Sequence, residues 1–152
     1  MKTQAPAIVE AANGGSDVSS SSLEEDVCTS ALEALQHVCV KDEICKQVGI
    51  ELEAASLLLG QLPCERSVPV AKGLSGLLRQ LLGSDDFKTL VLGMDCAPIL
   101  TRTLSCHSQS PQVVEQVLGA LAAFMMRLPA AAEDVAKAGA IEITTQLMEE
   151  NT

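Results

Sequence analysis

Apolar residues fall along this chain in one stripe written three times. Aligning the segments that begin at Glu24, Ser67 and Ser110 puts Val27, Val70 and Val113 in one column, then Ala31, Leu74 and Val117, then Leu35, Leu78 and Leu121, then Val38, Leu81 and Phe124. Members of a column stand 43 residues apart. Within each segment the positions run i, i+4, i+8, i+11, with Ala34, Leu77 and Ala120 at i+7, which is the apolar face of an amphipathic helix and not the alternation of a strand. The pattern predicts three long helices with these columns facing inward.

Between the long helices the polar residues mark shorter elements. Asp42-Glu43-Ile44 and Asp85-Asp86-Phe87 put carboxylates where a helix N-terminus has unpaired N–H groups and a positive dipole end, so a short helix is expected from each. The short helices are expected to end at Gly49, Gly93 and Gly139, the last after Glu133–Ala138, with glycine taking the left-handed conformation just past the helix. Medium helices then follow over Ile50–Gln61, Asp95–Ser105 and Ile141–Glu150. The repeating unit is therefore short, medium and long helix, with about 70% helix and no strand expected overall.

The first 22 residues read differently. Pro6–Ala12 matches a weak medium helix, and Asn13–Ser22 is a Gly/Ser-rich stretch with too little apolar surface to order itself. Ser22 with Glu25 forms an S-x-x-E capping box for the first long helix, and Ser110-Pro111 puts a cap residue and a proline at the start of the third. Two regions are thus expected: 1–22, weak helix plus flexible loop, and 23–152, a helical repeat segment. Since the chain starts and stops inside repeats, it reads as a fragment of a longer array.

Three stretches carry a resemblance to a known family. Ala138-Gly139-Ala140-Ile141-Glu142-Ile143-Thr144-Thr145-Gln146-Leu147-Met148 follows the A-G-A-I-P-x-L-x-x-L-L signature of the armadillo repeat, with Glu142 in place of the usual proline. Val48-Gly49-Ile50 and Leu92-Gly93-Met94 are looser versions, and Ala31-Leu32-Glu33-Ala34-Leu35 is similar to the family's A-L-x-A-L. Leu81–Lys88 and Ser110–Gln116 also resemble one of the armadillo-repeat-containing proteins. The resemblance covers nearly all of 24–150. It implies an all-α, right-handed α-solenoid of about three armadillo-type three-helix repeats, incomplete at both ends, whose long helices line a concave groove that binds proteins.

The resemblance also implies which positions to inspect. Peptide-binding members carry a ladder asparagine and a tryptophan on the long helix, and here those columns read His37, Gln80, Ala123 and Glu33, Gly76, Gly119. Both depart from the family, so gripping of an extended peptide in the family's best-known way is not expected. With the apolar columns facing inward, the exposed concave strip is expected to hold Glu33, His37, Arg79, Gln80, Gly119 and Ala123, with Met126 on its apolar flank.

Composition narrows the function. Ten basic against twenty acidic side chains give a net charge of −10 over 152 residues, which repels nucleic acid and anionic membranes and favours a basic protein or peptide partner. Two Phe, with no Trp or Tyr, cannot build base-stacking platforms. No apolar run is long enough to span a membrane and the N-terminus does not read as a secretory signal, so a cytoplasmic protein, with the nucleus as an alternative, is expected. The six cysteines (Cys28, Cys39, Cys45, Cys64, Cys96, Cys106) lie at helical spacing without C-x-x-C pairs, and all six are expected to be reduced.

Catalytic and metal motifs find no seat. His37 and Cys39 stand two apart on one helix, about 200° around it, and so cannot chelate one ion. Cys106-His107 are adjacent and do not face each other as a nucleophile and base must. Gly73-Leu74-Ser75-Gly76 lacks the spacing and the preceding strand of a nucleophile elbow, and its small residues suit close helix approach instead. No phosphate-binding loop occurs, and no cofactor is expected. Ser21 and Ser22, with Glu24 and Glu25 three residues on, match an acidophilic kinase site or a simple cap. The expected function is a non-catalytic protein-interaction scaffold; the alternative is a purely structural segment that packs against further repeats of its own chain.

Overall fold

The computed structural model describes residues 17–39, 43–44, 47, 49, 53–62 and 67–152. Among these it is all-helical, with no strand: α1 Asp17–Val38, α2 Ala54–Gly60, α3 Val68–Leu81, α4 Asp85–Leu92, α5 Cys96–Cys106, α6 Pro111–Met125, α7 Pro129–Lys137 and α8 Ala140–Glu150. The expected helix over Pro6–Ala12 and the start of the first short helix at Asp42 lie outside the described residues, and the medium helix expected over Ile50–Gln61 begins only at Ala54, because Glu53 is left-handed.

The three long helices are α1, α3 and α6, and α3 packs between the other two, most extensively against α6. Close approach at the α1–α3 seam depends on small residues. A Cβ added to Gly73 would fall 2.9 Å from Leu32 Cδ1, and one on Gly76 would fall 2.8 Å from Gln36 Oε1, so neither position tolerates a side chain without a shift. Gln36 Nε2 also donates to the Gly73 carbonyl at 3.2 Å. The same device recurs one helix on, where a Cβ on Gly119 would fall 2.5 Å from Arg79 Nε. The shorter helices pack around this stack, α2 on α3, α5 and α7 on α6, and α8 on α5 and α7.

The repeated apolar columns are buried in α3 and α6, where Val70, Leu74, Leu78, Leu81, Val113, Val117, Leu121 and Phe124 all belong to one core. In α1 the expectation fails. Val27, Ala31, Leu35 and Val38 face solvent, and Leu32 and Cys39 are the buried residues. The reason is positional: α1 packs on α3 through its other face, and nothing among the described residues covers the first. α1 also starts earlier than its capping box suggested, at Asp17, so the serines 19–22 expected in a loop are helical. Extending an existing helix costs little per residue even for serine.

Gly93 and Gly139 fall between helices as expected, whereas Gly49 is itself helical, and of the three only Gly139 is left-handed. Gly139 has φ 83°, whereas at the preceding junction the left-handed residue is Asp95 (φ 55°), with Gly93 at φ −89°. In both, as at Glu53 (φ 53°), the positive φ falls on the residue just before the next helix begins. The turn geometry fixes that place, and glycine coincides with it once. Gly49 is needed for a different reason, since a Cβ there would run into the Phe87 ring.

A buried cation ties the second unit to the third. Lys88 on α4 is only 2% exposed; its Nζ donates to the Met126 carbonyl at 2.6 Å and pairs with Asp85 at 3.2 Å. Arg127, itself left-handed at φ 61°, reaches the same carboxylate at 3.2 Å. The C-terminus of α6, whose last carbonyls lack intrahelical partners, is thereby held on the first turn of α4. The cysteines bring a further correction. Cys28 and Cys96 keep their thiols, but Cys106 is disulfide-bonded, its partner lying outside the described residues. Spacing along the chain could not reveal a pairing that depends on how loops return.

Candidate functional site

The polar faces of the three long helices meet in a groove of about 460 Å³. α1 contributes Thr29, Glu33, Gln36 and His37, α3 contributes Pro69, Lys72 and Gly73, and α6 contributes Gln112 and Gln116. Each set lies at helical spacing on one side of its helix, and the apolar columns of α3 and α6 lie buried elsewhere on the same helices. Hence polar side chains and the carbon of their stems, with Pro69 and Gly73, line the groove together.

Its hydrogen-bonding state is partly fixed. His37 Nδ1 lies 2.7 Å from the Glu33 carbonyl, and since a carbonyl only accepts, Nδ1 carries the proton. Nε2 is left facing away from that bond. Gln36 is committed to the Gly73 carbonyl. Glu33 and Lys72, both exposed, supply one charge of each sign, and Gln112 and Gln116 supply amides that both donate and accept. Such a set can satisfy the backbone or polar side chains of a bound chain.

Of the residues singled out from the sequence, Glu33 and His37 line this groove. Arg79 and Gly119 are brought together, but on each other: Arg79 lies over Gly119 and closes the α3–α6 seam there, so Gly119 is a floor under a side chain. Gln80, Ala123 and Met126 do not line the groove. Met126 projects its side chain into solvent (60% exposed) and uses its carbonyl to receive Lys88. Gly76, in the column where the family resemblance put tryptophan, is filled by Gln36.

Sequence reasoning missed Lys72, Gln112 and Gln116. The signal was present, since the same register that aligns the apolar columns also aligns Thr29 with Lys72 and Ser30 with Gln116, outside the stripe. Ala122 lines a separate, apolar groove with Leu118 and Met125. The Cys106 thiol is consumed in a disulfide and cannot act as a nucleophile in this form. Among the described residues no group of three or more His, Cys, Asp or Glu could hold a metal, and no helix is long and apolar enough to cross a membrane. No protein-family model matches the chain, and neither does any curated protein or solved structure.

Proposed function

We propose that this chain is an armadillo-type, right-handed α-solenoid segment that acts as a non-catalytic scaffold, holding a protein or peptide partner in the groove across α1, α3 and α6. The observation that carries the reading is that groove: three long helices in a 43-residue register present Glu33, His37, Lys72, Gln112 and Gln116 along one polar surface. The register and the short, medium, long order of helices support the family reading. The net charge of −10 favours a basic partner, which gains on-rate from steering that weakens with salt. With asparagine and tryptophan missing from their columns, the partner is gripped by scattered polar contacts and not by a backbone ladder.

The test is a display selection of peptides on the immobilised chain, followed by affinity measurement against a His37→Ala/Gln116→Ala variant. Loss of two hydrogen-bonding groups should weaken binding by about 1–3 kcal/mol with the melting temperature unchanged. Equal affinity for both proteins would place the binding surface elsewhere.

A further inference from the structure

The fold separates the two readings of Ser22. A capping serine stands just before the first turn of its helix, but α1 begins at Asp17, so Ser22 lies inside the helix and not at its cap. The other reading concerns Ser22-Leu23-Glu24-Glu25-Asp26, a serine with carboxylates two, three and four residues on. In Ser21 the nearest carboxylate lies one residue further away.

Ser22 is also within reach of an enzyme. Every residue from Ser22 to Cys28 is exposed, so nearly two turns of α1 stand with no side against the core. The helix meets α3 further along, where Leu32 and Gln36 lie against Gly73 and Gly76. A serine-rich helical end without such packing opens locally at little cost, which lets a kinase draw the hydroxyl into its active site.

Helical geometry then ties this serine to the groove. Thr29 and Glu33 follow Ser22 by seven and eleven residues, which sets both within about 20° of it around the helix, with Asp26 between. Ser22 therefore continues the α1 wall of Thr29, Glu33, Gln36 and His37, roughly 10 Å beyond Thr29. Asp17–Val38 contains no Lys or Arg, so a negative group at Ser22 finds no such cation on its own helix.

We propose that Ser22 is a phosphorylation site for an acidophilic serine kinase, and that its phosphate extends the α1 wall of the groove to strengthen capture of a basic partner. In the transfer, Ser22 Oγ bonds to the γ-phosphorus of ATP as the bond to the β–γ bridging oxygen breaks. ADP leaves, and the hydroxyl proton passes to the kinase's base. The carboxylates of Glu24, Glu25 and Asp26 are what the kinase's basic subsites read. The product carries a charge of about −2 at neutral pH. Close to Glu25 and Asp26 it loosens turns that bear no packing, so the melting temperature should not change. The site assignment stands by itself, whereas the effect on the partner rests on the groove reading.

The experiment incubates the full chain with ATP and a serine kinase selective for S-x-x-E sites, and locates phosphate by fragmentation mass spectrometry. Ser22 should be modified, and Glu25→Gln should slow its modification by about tenfold or more, as loss of a charge-assisted contact implies. An unmodified Ser22, or an undiminished rate with Glu25→Gln, overturns the site. A fluorescent basic peptide selected on the unmodified chain is then titrated into both forms. For one peptide cation near Thr29, phosphorylation should tighten binding about threefold at about 10 mM salt and about 1.5-fold at about 0.15 M. Kinase-treated Ser22→Ala, a substitution that favours helix, should bind like the untreated parent. Equal affinity of both forms at low salt, or a tightening that persists in Ser22→Ala, overturns the effect on the partner. If His37→Ala/Gln116→Ala binds the peptide as the parent does, the groove reading fails and this effect with it, while the mass spectrum alone decides the site.

Discussion

At the scale of single residues, conformation and burial decide what each side chain contributes. Gly139 holds φ 83°, a region that costs an L-residue about 1–2 kcal/mol, so Gly139→Ala should destabilise the protein by about that amount in urea titration. Asp95 already bears that strain at φ 55°, and Asp95→Gly should leave stability within about 0.5 kcal/mol of the parent, relief in the folded state offsetting the freer unfolded chain. The thiols divide in the same way. Burial pushes the Cys96 thiol up to about 12, so alkylation of native protein should modify exposed Cys28 and spare Cys96 until the chain unfolds. In denatured, unreduced protein Cys106 should remain unlabelled. Gly93 and Gly139 could be read from the sequence as helix breaks, but their dihedrals could not, because the turn decides which residue adopts positive φ. Lys88 gave no sign of burial either: its register mates are Cys45 and Ala131, and only the return of Met126 to α4 encloses it.

At the scale of elements, the long helices were the most legible feature. α3 and α6 start at Val68 and Pro111, where a serine followed by a proline within two residues marks the start, and their buried columns are the aligned ones. α1 has the same stripe but the opposite outcome, since periodicity specifies an apolar face without saying which neighbour is present to cover it. The junction of α4 with α6 rests on Lys88, Asp85 and Arg127. Replacing Lys88 by Ala leaves a cavity and strips the Met126 carbonyl of its donor, and should cost about 2–3 kcal/mol in thermal or chemical melts. The Lys88 hydrogen bond to Asp85, together with the Lys88 and Arg127 charges, holds that carboxyl below its ordinary value against a weaker opposing effect of desolvation. A lowered folded-state value means the contribution is present above about pH 4 and is lost as pH falls through the lower, folded value. Asp85→Asn should accordingly flatten part of the acid limb of a stability-versus-pH curve. An unchanged limb would mean the carboxylate does not sense Lys88 and Arg127.

At the scale of the whole molecule, the repeat organises both the core and the groove. Polar positions from three helices converge because each long helix sets its small residues under the side chains of the one before. Of the residues expected from the sequence on the long helices, Glu33 and His37 line the groove, while the rest were spread along the ladder column toward the C-terminal ends. The groove lies nearer the N-terminal ends of α3 and α6, at Pro69, Lys72, Gln112 and Gln116, a location set by how far successive helices slide past one another. That slide is visible only once Gln36 is seen over Gly76 and Arg79 over Gly119.

The most direct test is to map the binding surface by amide chemical-shift perturbation, titrating the full chain with a basic peptide selected on it. The groove account requires the largest shifts at Glu33, His37, Lys72, Gln112 and Gln116, diminishing as salt is raised. Shifts concentrated instead on α7 and α8, or spread evenly over the acidic surface, would contradict it.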